Sequence, residues 1–296
     1  MNDATLRLAF GGIHPERLLA LGEEWGSPAA VLRAIVKGQI KAADRIRAEV
    51  EIPAAVRRRQ LDTASIATVV PGDAGYPDRL AALPDHPPLL FVRGAIPSEP
   101  AVAVVGSRRC TSYGKRYAEQ YGRAIAQAGW VAVSGLARGV DGAVHRGTVA
   151  MGGLGIGVLG CGLDVAYPRE HAQLATDLVA AGGAVVSEYP PGTPPNGWRF
   201  PPRNRIISGL AAAVVVVEAT VKGGALITAA RALDHGIPVL ATPGDIDRES
   251  SRGANLLIRD GAIPVLDSED LVEALSLVLG PPKRTAVEDP AAHFLE

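Results

Sequence analysis

The chain has 296 residues, 47% of them hydrophobic and 21% charged, with a formal net charge of -1 at pH 7. That length supports a large α/β domain plus a smaller one, and the composition is that of a soluble globular chain. A near-neutral charge excludes attraction of nucleic acid by the molecule as a whole, so any such affinity has to come from a local basic patch.

Arginine supplies nearly all the positive charge; the lysines are Lys37, Lys41, Lys115, Lys222 and Lys283. Cys110 and Cys161 are too few and too far apart for a disulfide framework or a zinc site, and both are expected to be reduced. The N-terminus, MNDATLRLAF, has no basic stretch followed by an apolar core, and the apolar runs are too short to span a bilayer. A cytoplasmic protein without a membrane partner is expected.

Residues 1 to 62 read as a small all-helical domain. Apolar positions recur at helical spacing, broken at Gly11-Gly12 and at Gly26-Ser27-Pro28, where Ser27 is a good N-cap and Pro28 suits the first helical position. Gly11-Gly12-Ile13 fits either a DNA-binding helix-hairpin-helix loop or a turn within a packing or protein-interaction module. Arg57-Arg58-Arg59 reads as a solvated helical face. Residues 63–100 are rich in proline and turn signals around an apolar run at 89–92, a predicted strand. This segment is either an edge extension of the next domain or an ordered linker.

From Ala101 onward strands and helices alternate. Strands are predicted at 102–105, 131–133, 155–159, 184–186, 213–217, 238–241 and 263–265, with room for a helical crossover between each pair. The fold class is α/β, a Rossmann-like doubly wound parallel sheet over residues 101–280. In such sheets ligands gather beyond the carboxyl ends of the strands.

Three of those ends carry anion-binding residues. The first strand is followed by Gly106-Ser107-Arg108, where glycine permits close approach, serine offers a hydroxyl and arginine can hold a phosphate bidentately. The second is followed by Ser134-Gly135, then Arg138-Gly139 and Asp141, a pattern that suggests a nest of N–H donors at a helix start. The strand at 213–217 is preceded by Phe200-Pro201-Pro202-Arg203-Asn204-Arg205 and followed by Lys222-Gly223-Gly224, which opens a helix whose dipole favours an anion. Three anion sites favour a polyanion or a nucleotide with several contacts. Phe200 reads equally as a ring that stacks on an unpaired base and as a ring packed beside its prolines.

Gly155-Ile156-Gly157-Val158-Leu159-Gly160 satisfies G-x-G-x-x-G, but its apolar residues are needed for the strand itself, so it is read as strand packing. Asp141 and His145 share a helical face without a third ligand, and read as a structural pair. Glu188 and Glu218 at strand ends fit either catalysis or the holding of arginines.

Several motifs in order, Val105-Gly106-Ser107-Arg108, Ser134 through Asp141 with His145, Val158 through Asp164 with Tyr167-Pro168, Ser187-Glu188-Tyr189-Pro190, Phe200 through Gly209, Val217-Glu218-Ala219, Leu226-Ile227-Thr228 and Pro243-Gly244, resemble the DNA-processing protein A (DprA/Smf) family across about residues 66 to 266. The resemblance implies an extended Rossmann domain that dimerises, binds and protects single-stranded DNA and loads the RecA recombinase in natural transformation, with single-strand-binding protein as a further partner and no cofactor. It implies DNA contacts at Gly106, Ser107, Arg108, Ser134, Gly135, Arg138, Gly139, Phe200, Arg203, Asn204, Arg205, Lys222 and Gly223. It also implies a sterile-alpha-motif-like helical domain at the N-terminus.

Two features depart from the family. Lys222-Gly223-Gly224-Ala225 stands where Lys-Ser-Gly-Ser is usual, removing two hydroxyl donors. The segment 281–296 is a short Pro-rich, charged tail where many members continue into a winged-helix-like domain. The competing class is a nucleotide N-glycosidic hydrolase of the lysine-decarboxylase-like type, which needs a glutamate soon after its Gly-Gly turn. Here the predicted helix carries no carboxylate before Asp234. A sensor that binds a small nucleotide without turnover is a third reading.

Overall fold

A computed structural model describes residues 3–282, so the expected tail and Lys283 lie outside the described residues from position 283 onward. The chain opens with α1 (Asp3–Phe10), α2 (Pro15–Trp25), α3 (Pro28–Val36), α4 (Asp44–Glu51) and α5 (Ala54–Thr63). Ser27 caps α3 by accepting from the Ala30 N–H, and Pro28 begins it. Leu8, Leu18, Leu21, Val31, Ile35 and Val50 bury their side chains against one another. The Gly11-Gly12 turn serves this packing, because a Cβ on Gly11 would lie 2.6 Å from Val50 Cγ1. The arginine run is not uniformly solvated: Arg57 is buried, bonded to Gln60 and Glu49, with its guanidinium 4.5 Å from the Phe10 ring centre.

The remaining elements are β1 (Ala67–Val69), α6 (Asp78–Ala81), β2 (Leu90–Gly94), β3 (Ala101–Val105), α7 (Ser112–Gln127), β4 (Val131–Ser134), α8 (Val140–Ala150), β5 (Gly155–Leu159), α9 (Ala172–Ala180), β6 (Ala184–Ser187), α10 (Phe200–Leu210), β7 (Ala213–Val216), α11 (Gly224–Asp234), β8 (Val239–Ala241), α12 (Glu249–Arg259), β9 (Ile263–Pro264) and α13 (Ser268–Leu279). The strands form one sheet in the order β1-β2-β6-β5-β4-β3-β7-β8-β9. Strands β3 to β9 are parallel, and every residue of β3, β4, β5, β6 and β7 is buried, as helices on both faces require. Alternation divides the sides: Ala103 and Val105 pack with α10, α11 and α12, whereas Val102 and Val104 pack with α7, α8 and α13. The helical module leans on the same sheet, with Leu6, Ala9 and Leu61 in one cluster with Phe91 and Val185.

The parallel expectation needs one amendment. β2 pairs antiparallel with β6, and β1 antiparallel with β2, so the segment 63–100 supplies sheet edge. Running backward brings the end of β2 to the amino ends of the parallel strands, where β3 starts. Four strand spacings separate β2 from β3 in the sheet, roughly 19 Å, which the short link 95–100 can span when extended. From β3 the chain turns through α7 toward β4, and from β7 through α11 toward β8 on the other side. The crevice of the doubly wound sheet therefore opens between β3 and β7.

Candidate functional site

A cleft of about 480 Å³ occupies that crevice. The turn after β3 gives it Gly106, Ser107, Arg108 and Arg109; α10 gives Arg203 and Asn204; the start of α11 gives Gly223, Gly224 and Thr228.

The backbone of Ser107 ties three strand ends together. Its N–H donates to the Glu218 carbonyl after β7 at 2.7 Å, and its carbonyl accepts from Val140 N at the start of α8 at 3.3 Å. Gly139 makes the second contact possible: its φ is +75°, and a Cβ there would lie 2.2 Å from the Ser107 carbonyl oxygen. Glu218 then binds the start of α7, accepting from Thr111 N at 2.8 Å and Thr111 Oγ1 at 2.6 Å. Its carboxylate holds a helix start, not an arginine. The Ser107 hydroxyl accepts from Arg109 N at 3.1 Å, and the Arg108 and Arg109 side chains are exposed.

Gly135 forms the floor between two charged groups. A Cβ there would lie 2.1 Å from Arg203 Nη1 and 2.6 Å from Asp141 Oδ2, so only glycine admits both side chains. Asp141 Oδ2 accepts from Gly135 N at 3.1 Å and Ala137 N at 3.3 Å. Burial raises the Asp141 pKa and pushes Arg203 down to about 10, with their mutual attraction opposing both shifts. Arg203 Nη1 donates to the Val158 carbonyl, while its Nε is buried without a partner. A buried cation with an unspent donor thus lies beneath the cleft. His145 is fully buried, and burial pushes its pKa down to about 3 against the opposing pull of the Ser134 backbone. It is a neutral core residue.

At the far wall Gly223 is the N-cap of α11 and brings no side chain to cap it; the Leu226 N–H is taken by the Gly223 carbonyl, and Gly224 and Ala225, the first residues of the helix, line the cleft. Asn204 Nδ2 donates to the Gly224 carbonyl at 3.3 Å, joining α10 to that turn. Lys222 is exposed and lines a shallower depression that shares Gly223 with the cleft.

The cleft therefore gathers Gly106, Ser107, Arg108, Arg203, Asn204 and Gly223, with Gly135 and Gly139 as the glycines that let its parts close together. Other expected contacts are spent elsewhere. Ser134 is wholly buried and donates to the Val104 carbonyl at 2.7 Å. Arg138 points outward to Glu170, whose carboxyl it holds down at about 2. Arg205 is 2% exposed; it makes bonds of 3.0 and 2.6 Å to Glu188 and one of 2.7 Å to the Asp85 carbonyl, so no donor reaches the cleft. Helix geometry is the reason: residues two apart lie about 200° around the axis, so Arg203 and Arg205 face opposite ways. Phe200 is 8% exposed, beneath the Arg108 guanidinium at 4.9 Å and beside the Tyr167 ring at 5.3 Å. Sequence reasoning did not place Arg109, Thr228 and Ser250 at the cleft, which they line, and did not single out the exposed rings of Tyr167 and Trp198 nearby. Arg109 carried a signal in its place beside Arg108 in a glycine turn, and Tyr167 and Thr228 lay within motifs of the family resemblance.

A sequence model of the family described as DNA recombination-mediator protein A matches residues 67–276. The chain belongs to that family. It is 38% identical to the DNA processing protein DprA of Bacillus subtilis over 83% of this chain and 84% of that protein. It is 44% identical to the protein Smf of Escherichia coli over 71% of this chain, where it spans 57% of the relative's length. The X-ray structure of DprA from Streptococcus pneumoniae superposes with a TM-score of 0.74 at 34% identity, covering 90% of this chain and 95% of that one. DprA from Helicobacter pylori, described for its single-stranded DNA binding mode, aligns with a TM-score of 0.63 at 26% identity over 71% of this chain and 95% of that one. Family membership agrees with the extended Rossmann-like architecture, and among the described residues no helix is long and apolar enough to cross a membrane.

Proposed function

We propose that the protein binds single-stranded DNA along the cleft between β3 and β7. The observation that carries this reading is the convergence of exposed Arg108 and Arg109, buried Arg203 and the uncapped start of α11 on one cleft at the switch point of the sheet. Successive phosphates would meet the arginines and the helix N–H groups, with Lys222 at the outer lip. These contacts carry no base information, so binding is sequence-tolerant and weakens with salt.

The reading extends, on the strength of the family resemblance, to a cytoplasmic homodimer that protects incoming strands, loads RecA and meets single-strand-binding protein, with the α1–α5 module as its sterile-alpha-motif-like domain. A dimer at micromolar concentration in sedimentation is the expected outcome, and a strict monomer would remove that part. A non-catalytic role is favoured by α11, which has no carboxylate before Asp234, and by Asp141, which is turned onto Gly135 and Ala137. Release of a base from labelled nucleotides would instead establish the hydrolase reading.

The direct test is fluorescence anisotropy with labelled oligo-dT and a matching duplex across a salt series. Preferential single-strand binding is expected, with log K falling by about 0.7 per phosphate contact for each tenfold rise in salt. Binding that favours the duplex, or ignores salt, would overturn the proposal.

A further inference from the structure

Two large aromatic rings are exposed among the described residues, Tyr167 at 38% and Trp198 at 56%. Both lie on the edge formed by the carboxyl ends of the strands. Tyr167 stacks on Phe200, and Trp198 sits in the short 3-10 turn Gly197–Arg199 that leads into α10. The Arg199 guanidinium lies 4.4 Å from the Trp198 ring centre and 5.3 Å from that of Tyr189, which follows β6. The ring of His14, at the start of α2, is 6.0 Å from Trp198. Trp198 therefore stands where the helical module meets the sheet, at the β6 end of the edge.

The edge between the cleft and this point is not neutral ground. Moving from β3 toward β6 one meets Arg108, then Phe200 with Tyr167 over the end of β5, then Arg199 and Trp198. Three strand spacings separate β3 from β6, roughly 14 Å. A dinucleotide held at Arg108 is too short to cover that distance and a longer strand is not. Alternating cations and rings along a line match the alternation of phosphate and base in an unpaired strand.

We infer that Trp198, backed by Arg199, is a base-stacking station for single-stranded nucleic acid, continuing the track of the cleft across the sheet edge to the helical module. This rests on the single-strand reading of the cleft.

The test compares dT2 with dT20 on the full chain and its variants. Trp198→Ala should lower affinity for dT20 about tenfold, as expected for one lost stacked base, and leave dT2 binding unchanged. Trp198→Tyr should restore most of the loss. Fluorescence gives a second readout, because Trp130 is buried and Trp25 half-buried: dT20 should quench the parent more than Trp198→Phe, and dT2 should quench both equally. Equal dT20 affinity for parent and Trp198→Ala, while Arg108→Ala weakens binding, would overturn the station and spare the cleft. Equal loss on both lengths would also overturn it, making the ring a support of the cleft. A parent that binds neither oligonucleotide would remove the cleft reading and the station with it.

Discussion

The turn Gly106–Ser107–Arg108–Arg109 and the segment from Phe200 to Arg205 contain the same kinds of side chain and have opposite fates. In the turn both guanidinium groups stand in solvent, because a chain reversal after a strand has nothing packed above it. In the segment the helix carries its side chains downward, so Arg203 is pinned to Val158, Arg205 is claimed by Glu188, and Phe200 is roofed by Arg108 and Tyr167. Arg205 is unavailable to a ligand because a buried carboxylate has claimed it, whereas Arg203 keeps an unspent donor beneath the cleft.

The largest effect expected from this contrast is on the locked side. Arg205→Ala should cost roughly 3–5 kcal/mol in a urea unfolding experiment, because Glu188 would keep a buried, unpaired charge. The paired change Arg205→Met with Glu188→Leu should recover most of it, and full stability of the single variant would show that the arginine is free after all.

Next comes His145, fully buried beside Gly155. Its folded pKa of about 3 lies below the ordinary 6.5, so between those values the unfolded chain holds the extra proton. Stability should therefore fall as pH drops through that window, by about 1.4 kcal/mol per pH unit. His145→Leu should flatten this slope; an unchanged slope would assign the acid sensitivity to other groups.

On the open side, Arg108→Ala should lower stability by no more than about 1 kcal/mol, the cover it gives Phe200, and weaken oligo-dT binding by about 1.5 kcal/mol for every base composition, with a shallower salt dependence. A loss confined to one base would contradict a phosphate contact. The smallest change expected is Gly223→Ser, which gives α11 a capping hydroxyl and should alter stability by only a few tenths of a kcal/mol. Its oligo-dT affinity would report whether the absent hydroxyl donors matter to the ligand.

Much of the fold was legible because its signals are local. β-branched runs between turn residues predicted β3 to β9 to within a residue or two, and Ser27-Pro28 marked the start of α3. The direction of β2 was not legible, since strand polarity depends on where the chain must go next. At the site, turn residues could be recognised because glycine and arginine in a turn keep their meaning without neighbours. Arg205 and Ser134 could not, because their partners, Glu188 and the Val104 carbonyl, are remote in sequence. Trp198 was missed for the same reason: His14, which meets its ring, and Tyr189, which shares Arg199 with it, are remote in sequence.

The stitching of three strand ends through the backbone of Ser107, with Glu218 bracing α7, means that the two walls of the cleft cannot part like jaws. On the proposed single-strand reading, a ligand would then enter and leave by peeling along an open channel, one phosphate at a time, with no hinge to wait for. Its dwell time should scale with the number of contacts engaged, so strand length and ionic strength set the residence time. A partner that captures one end of the strand could draw the rest out without any change in the protein's shape.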